Sequence, residues 1–202
     1  LGLGGEAATS AHYRTIIERA EAQGEAADRL DLDAGLDVLT QADEGLALHA
    51  AAPSGHRLFR IDGWDRHNLG LTAAQELGYV LAGVAELFRA AESAGLAPAD
   101  IAARVSVRLA LPADMFAGIA ACRAMRHLWD GILLACGIDP VPVRIEGFAS
   151  LRMMSVLDHE VNMLRTTTAL LGGAIGGADA MAGFGHDLLT GETADARRTA
   201  RL

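Results

Sequence analysis

From Arg57 onward the chain repeats one pattern, a short apolar run followed by a long helix with an apolar stripe. The apolar runs are 58–61, 105–111, 141–145 and 178–184. Thr72 can cap a helix whose stripe is Leu77, Val80, Val84, Leu87 and Phe88, ended by Gly95. Asp114 opens a second helix carrying Ile119, Met125, Trp129 and Leu133, stopped by Gly137 and Pro140. Asp158 leads into a third through Val161, Leu164 and Leu171. Strands that alternate with helices of this length must run parallel with right-handed crossovers, so the class is α/β. In such sheets chemistry gathers beyond the C-terminal strand ends, here residues 62–70, 110–114, 146–155 and 183–187.

Residues 1–55 read as a helical N-terminal segment, with one stripe at Tyr13, Ile16 and Ile17 and a looser one at Leu36, Leu39, Leu46 and Leu48. Residues 56–202 form the second part. Its four expected strands are too few for a complete eight-stranded barrel, which needs roughly 250 residues, more than the 202 here.

A net charge of −9 with scattered Lys and Arg repels a polyphosphate, so nucleic acid is not an expected partner. The most lipid-like stretch, 170–184, is mostly Gly and Ala with Asp179 inside, too short and too weakly apolar to span a bilayer. Its Gly172-x-x-x-Gly176 spacing fits close helix packing in a water-soluble fold. Cys122 and Cys136, fourteen residues apart on one expected helix, lie about 21 Å from each other and cannot form a disulfide. Both read as buried free thiols in a reducing compartment. No basic segment precedes an apolar one at the start, so a cytoplasmic chain is expected.

Four blocks carry a resemblance. Cys122-Arg-Ala-Met-Arg-His-Leu-Trp129 is similar to the LRALRLLW helix of the methylmalonyl-CoA mutase barrel, and Val161-Asn-Met-Leu-Arg-Thr-Thr167 to its VNMLRTT segment. Gln75-Glu-Leu-Gly-Tyr79 resembles QELAY, and Ala196-Arg-Arg-Thr-Ala-Arg201 resembles ARRIAR. The blocks keep the family's order and spacing from about Leu58 to Leu202, most like the small, non-catalytic subunit of heterodimeric mutases. The resemblance implies a partial (β/α)8 TIM-like barrel, the back half with four parallel strands. It also implies adenosylcobalamin as the family's cofactor, not held by this chain alone, and a large mutase subunit or further copies as partners.

Where the family's GYHMQEAGA strand end carries Tyr and His, this sequence has Trp64 and Asp65. Where RTHSQTS carries a second His, it has Glu146. A carboxylate cannot donate as an imidazole does. The resemblance therefore implies a catalytically silent, structural chain. Two alternatives stand beside it. In one the chain is an active acyl-CoA mutase, because Arg104-Val-Ser-Val107 matches the family's RLSF strand and Arg104 with Ser106 would hold acyl-CoA. In the other it is a cobalamin carrier, because Asp65-Arg-His67-Asn-Leu-Gly70 fits D-x-H-x-x-G, in which His67 would ligate cobalt. The remaining histidines suggest no metal site, and only His186, beside Asp187, falls after an expected strand.

Overall fold

The computed structural model describes residues 10–200. In chain order the elements are α1 (Ser10–Ala22), β1 (Asp33–Asp37), α2 (Val38–His49), β2 (Arg57–Asp62), α3 (Gly63–Asn68), α4 (Ala73–Ser93), α5 (Pro98–Ala102), β3 (Val105–Leu111), α6 (Met115–Ala135), β4 (Arg144–Ala149), α7 (Val161–Gly176), β5 (Ala180–Ala182), α8 (Leu188–Gly191) and α9 (Ala194–Thr199). The strands make a five-stranded parallel sheet in the order β1-β2-β3-β4-β5. Each strand lies beside its neighbour in sequence. That order has no reversal point, so it is the order of a barrel segment and not of a doubly wound sheet.

The described residues group into two compact units. One comprises the chain up to Ile61 with Val80–Val107 and Trp129–Val143, the other Asp62–Tyr79, Arg108–Leu128 and the chain from Arg144.

In the first unit, β1 is a departure from the helical N-terminal segment expected over residues 1–55. The helices α1 and α2 are there, but Asp33–Asp37 between them pairs with β2, so the sheet has five strands where the sequence suggested four. The segment Asp-Ala-Gly-Leu-Asp has little intrinsic strand preference, and its partner supplies the reason to extend. Leu36 is fully buried, and Asp33 meets Arg60 of β2 at 3.2 Å. The register slips between Asp33 and Leu36, where Gly35 takes φ +66 and the Arg60 guanidinium occupies the space a Cβ would need. Asp37 then caps α2, accepting from the amides of Leu39 and Thr40 at 2.9 and 3.0 Å.

Also in this unit, the Tyr13 hydroxyl lies 2.7 Å from His56 Nδ1, while His56 Nε2 lies 2.9 Å from the Ala27 carbonyl. A carbonyl only accepts, so Nε2 carries the hydrogen and Nδ1 accepts from Tyr13. Burial raises the Tyr13 pKa, partly offset by Arg104. Strand β4, which belongs to the other unit, begins at Arg144, three residues later than expected, because Pro140 and Pro142 cannot donate to a ladder. The stretch ahead of it accepts instead: Trp129 Nε1 donates to the Val141 carbonyl at 2.7 Å.

In the second unit, α7 packs on the first half of α6 through its glycines. A Cβ on Gly172 would sit 2.8 Å from the Met115 carbonyl oxygen, and one on Gly176 would sit 2.9 Å from Cys122 Cβ. The Gly172-x-x-x-Gly176 spacing is thus a close-packing device between helices of this fold. Among the described residues no helix is long and apolar enough to cross a membrane.

Cys122 is buried, but Cys136 is exposed just beyond the end of α6, unlike the buried pair expected. Burial pushes the Cys122 thiol up to about 11 from 9.0. A raised folded-state value favours the protonated form. The resulting stability is present below pH 9 and is lost as pH rises from there through 11. At pH 8, a thiol-disulfide reagent should label exposed Cys136 of the native chain well before buried Cys122, whose raised pKa also lowers its thiolate fraction. Both should react at similar rates in denaturant. Equal rates in the native chain would contradict the buried placement.

Candidate functional site

The C-terminal ends of β2, β3 and β4 in the second unit carry buried charge. The last residue of β2, Asp62, caps α3 by accepting from the Asp65 amide at 3.1 Å. Its other oxygen accepts from Arg108 of β3 at 2.9 Å, and Arg108 also donates to Glu146 of β4 at 3.2 Å. Arg108 is 8% exposed and Glu146 5%, so one guanidinium bridges two carboxylates largely out of water. The guanidinium carbon sits 4.1 Å from the centroid of Phe148, a cation–π contact on the remaining face.

Aromatic rings close over this network. Trp64, Phe148 and Phe184 form a triangle with centroid separations of 5.9, 5.8 and 6.2 Å. Such offset and edge-on geometries suit the ring quadrupoles. Trp64 is fixed further by its Nε1, which donates to the Ala149 carbonyl at 2.9 Å.

Beside it runs a polar line. Glu76, near the start of α4 and 3% exposed, accepts from the Ala110 amide at 2.7 Å with one oxygen and faces His67 Nδ1 at 3.1 Å with the other. His67 Nε2 lies 3.0 Å from the Ser150 hydroxyl. A carboxylate only accepts, so Nδ1 donates to Glu76 and Nε2 accepts from Ser150. The order Glu–His–Ser is that of a hydrolytic triad, but two features remove that chemistry. Ser150 is 2% exposed, and the amides that would serve an oxyanion, those of Ser150 and Leu151, are already bonded to the Leu111 carbonyl and the Asn68 side chain. The line ties α3 and α4 to the ends of β3 and β4. Arg152 strengthens the tie by donating to the His67 and Leu71 carbonyls at 3.1 and 2.9 Å.

Of the residues singled out from sequence, Trp64, Glu146 and His67 come together here, and Asp65 is exposed on α3. Arg104 and Ser106 belong to the other unit, at the N-terminal end of β3. Arg104 donates to the Pro53 and Ala52 carbonyls at 3.0 and 3.2 Å, and the Ser106 hydroxyl donates to the Phe59 carbonyl at 3.3 Å. A cobalt ligand needs a ring nitrogen with its lone pair available. Both nitrogens of His67 are engaged, so the ring as placed does not fit that role. Among the described residues no group of three or more His, Cys, Asp or Glu could hold a metal ion.

Sequence reasoning passed over Arg108, Glu76 and Phe184. One signal was available: Arg108 is the single charged residue in Val105–Leu111, and a cation in a buried strand requires a counter-charge.

The sheet order and the helices between its strands are those of a partial TIM-like barrel. The sequence profile described as Methylmalonyl-CoA mutase covers residues 48–201, and the chain belongs to that family. Among individual proteins, the methylmalonyl-CoA mutase small subunit of Streptomyces virginiae is 37% identical across 100% of this chain and 35% of its own length. The probable methylmalonyl-CoA mutase small subunit of Mycobacterium tuberculosis is 37% identical over 75% of this chain and 27% of its own. The Escherichia coli methylmalonyl-CoA mutase is 29% identical over 60% and 17%. The chain thus spans about a third or less of the curated relatives it matches.

Proposed function

We infer that this chain is a small-subunit-like part of a methylmalonyl-CoA mutase that contributes strands and helices to a barrel and does not itself carry the rearrangement. The supporting observation is the charge pairing within the rim. Arg108 bridges Asp62 and Glu146, its guanidinium lies over the Phe148 ring, and Trp64 and Phe184 pack on that ring. A thioester at this rim would find Asp62, Glu146 and both terminal nitrogens of Arg108 engaged with one another, and the ring nitrogens of His67 committed to Glu76 and Ser150. Arg104 and Ser106 enter this reading as scaffold, holding the end of α2 and the edge of β2.

Adenosylcobalamin supplies radical chemistry to the family, and in this reading another polypeptide, a large mutase subunit, holds it. The test is turnover of methylmalonyl-CoA with added adenosylcobalamin, by the chain alone and by the chain with a large subunit. No product is expected from the chain alone. Turnover by the chain alone overturns the reading, as does a change in the corrin absorbance spectrum that disappears in His67→Ala.

A further inference from the structure

Within the second unit, α7, the residues after β5 and α9 line a partly open pocket of about 270 Å³. Met163, Leu170, Phe184 and Ala196 contribute apolar wall. The hydroxyls of Thr167 and Thr199, also in the lining, are satisfied by the Met163 and Asp195 carbonyls at 2.8 and 3.0 Å. Two lining groups are different. Thr166 Oγ1 and His186 Nδ1 are buried and have no hydrogen-bond partner. Thr166 as a residue is 7% exposed. A buried polar atom left without a partner costs free energy and calls for an explanation.

The loop that carries His186 is well anchored, so the orphaned nitrogen is not a symptom of a loose segment. Asn162 donates to the His186 carbonyl at 2.9 Å, and the His186 ring stacks on His159 at 5.5 Å. An apolar hollow with two polar atoms has the composition of a small-molecule site, at the small end of the size range. Its volume is about nine times a water molecule's share of the liquid.

The geometry points to a binding site for a short aliphatic chain ending in a neutral carbonyl, an amide or ester, whose oxygen accepts from Thr166 Oγ1–H and His186 Nδ1–H. Charge decides against a free carboxylate. No Lys or Arg lines the cavity, and Asp187 follows His186 directly with 8% exposure. An anion there would have no lysine or arginine to pair with. The site is separate from the rim, with Phe184 as the shared wall: the ring that lines the cavity also packs on Trp64 and Phe148.

The experiment titrates the chain with hexanamide and with hexanoate, followed by two-dimensional NMR, on wild type, Thr166→Val and Thr166→Ser. Hexanamide should saturate with a Kd on the order of 1 mM, as expected for so small a ligand, and hexanoate should bind at least about 10-fold more weakly. Thr166→Val keeps the shape and removes the orphaned hydroxyl. It should weaken hexanamide about 10-fold while raising the melting temperature of the ligand-free chain. Thr166→Ser should retain binding. Absence of saturation by hexanamide overturns the proposal, because ordered water would then suffice for both atoms. So does hexanoate binding as tightly as the amide, or a Thr166→Val chain that binds hexanamide as wild type does.

Discussion

Arg108→Ala should destabilise the chain by about 3–5 kcal/mol, seen as a fall of about 2 M in the urea midpoint. The size follows from what is left behind. Without the guanidinium, Glu146 and Asp62 lose the cation that bridges them, and Glu146 is nearly inaccessible to water. The Glu146 carboxylate is then left in a medium that solvates it poorly, with the half-buried Asp62 also parted from Arg108, and Phe148 loses the cation on its face. Most of the loss is therefore the penalty of uncompensated charge and not the worth of the ion pairs. Neutralising all three groups together separates these terms. The triple variant Arg108→Met, Asp62→Asn, Glu146→Gln should recover most of the stability lost in Arg108→Ala. A single-variant loss below about 1 kcal/mol would mean that water reaches the network and that the rim is more open than described.

Glu76→Ala should cost about 2–4 kcal/mol, because it orphans the buried Ala110 amide and releases His67 from its anchor at once. Glu76→Gln makes a sharper prediction. The amide oxygen can still accept from Ala110, but the amide nitrogen now donates toward His67 Nδ1. The ring must give up its Nδ1 hydrogen, take the other tautomer and donate from Nε2 to Ser150 Oγ. Stability should fall by only about 1 kcal/mol. The nitrogen-15 shifts of the His67 ring should exchange their assignments between wild type and Glu76→Gln. An unchanged tautomer would show that Glu76 does not set the state of the ring. Equal losses for the alanine and glutamine variants would show that hydrogen bonding is not what Glu76 contributes.

The two lines of buried polarity explain how this rim is held in order. In a parallel sheet the C-terminal strand ends leave carbonyls, helix N-termini and short loops to be satisfied. Here Asp62 serves both as the cap of α3 and as a partner of Arg108, and Asn68 receives the Leu151 amide at 3.0 Å. Glu146 is not an isolated charge. It faces Arg108 on the neighbouring strand, and the two charges meet.

The alternation of apolar runs with amphipathic stripes from Arg57 on was sufficient to define α/β class, parallel strands and the end of the sheet where buried polar residues would collect. Strand β3 falls on Val105–Leu111 as its apolar run indicated, and the residues that meet at the rim lie within the stretches flagged at strand ends or just beside them. These features are local. Period, caps and breakers act over a few residues, so sequence alone determines them. Strand β1 was hidden because Asp33–Asp37 carries no strand pattern, and its extended form depends on Arg60, more than twenty residues away, and on burial of Leu36. The roles of Arg104 and Arg108 were likewise decided in three dimensions. The two arginines stand four residues apart, one just before β3 and one within it, and only the fold sends the first to the carbonyls of Ala52 and Pro53 and the second to the carboxylates of Asp62 and Glu146. Charge pairing acts through space between segments distant in the chain, which is why no reading of spacing could assign it.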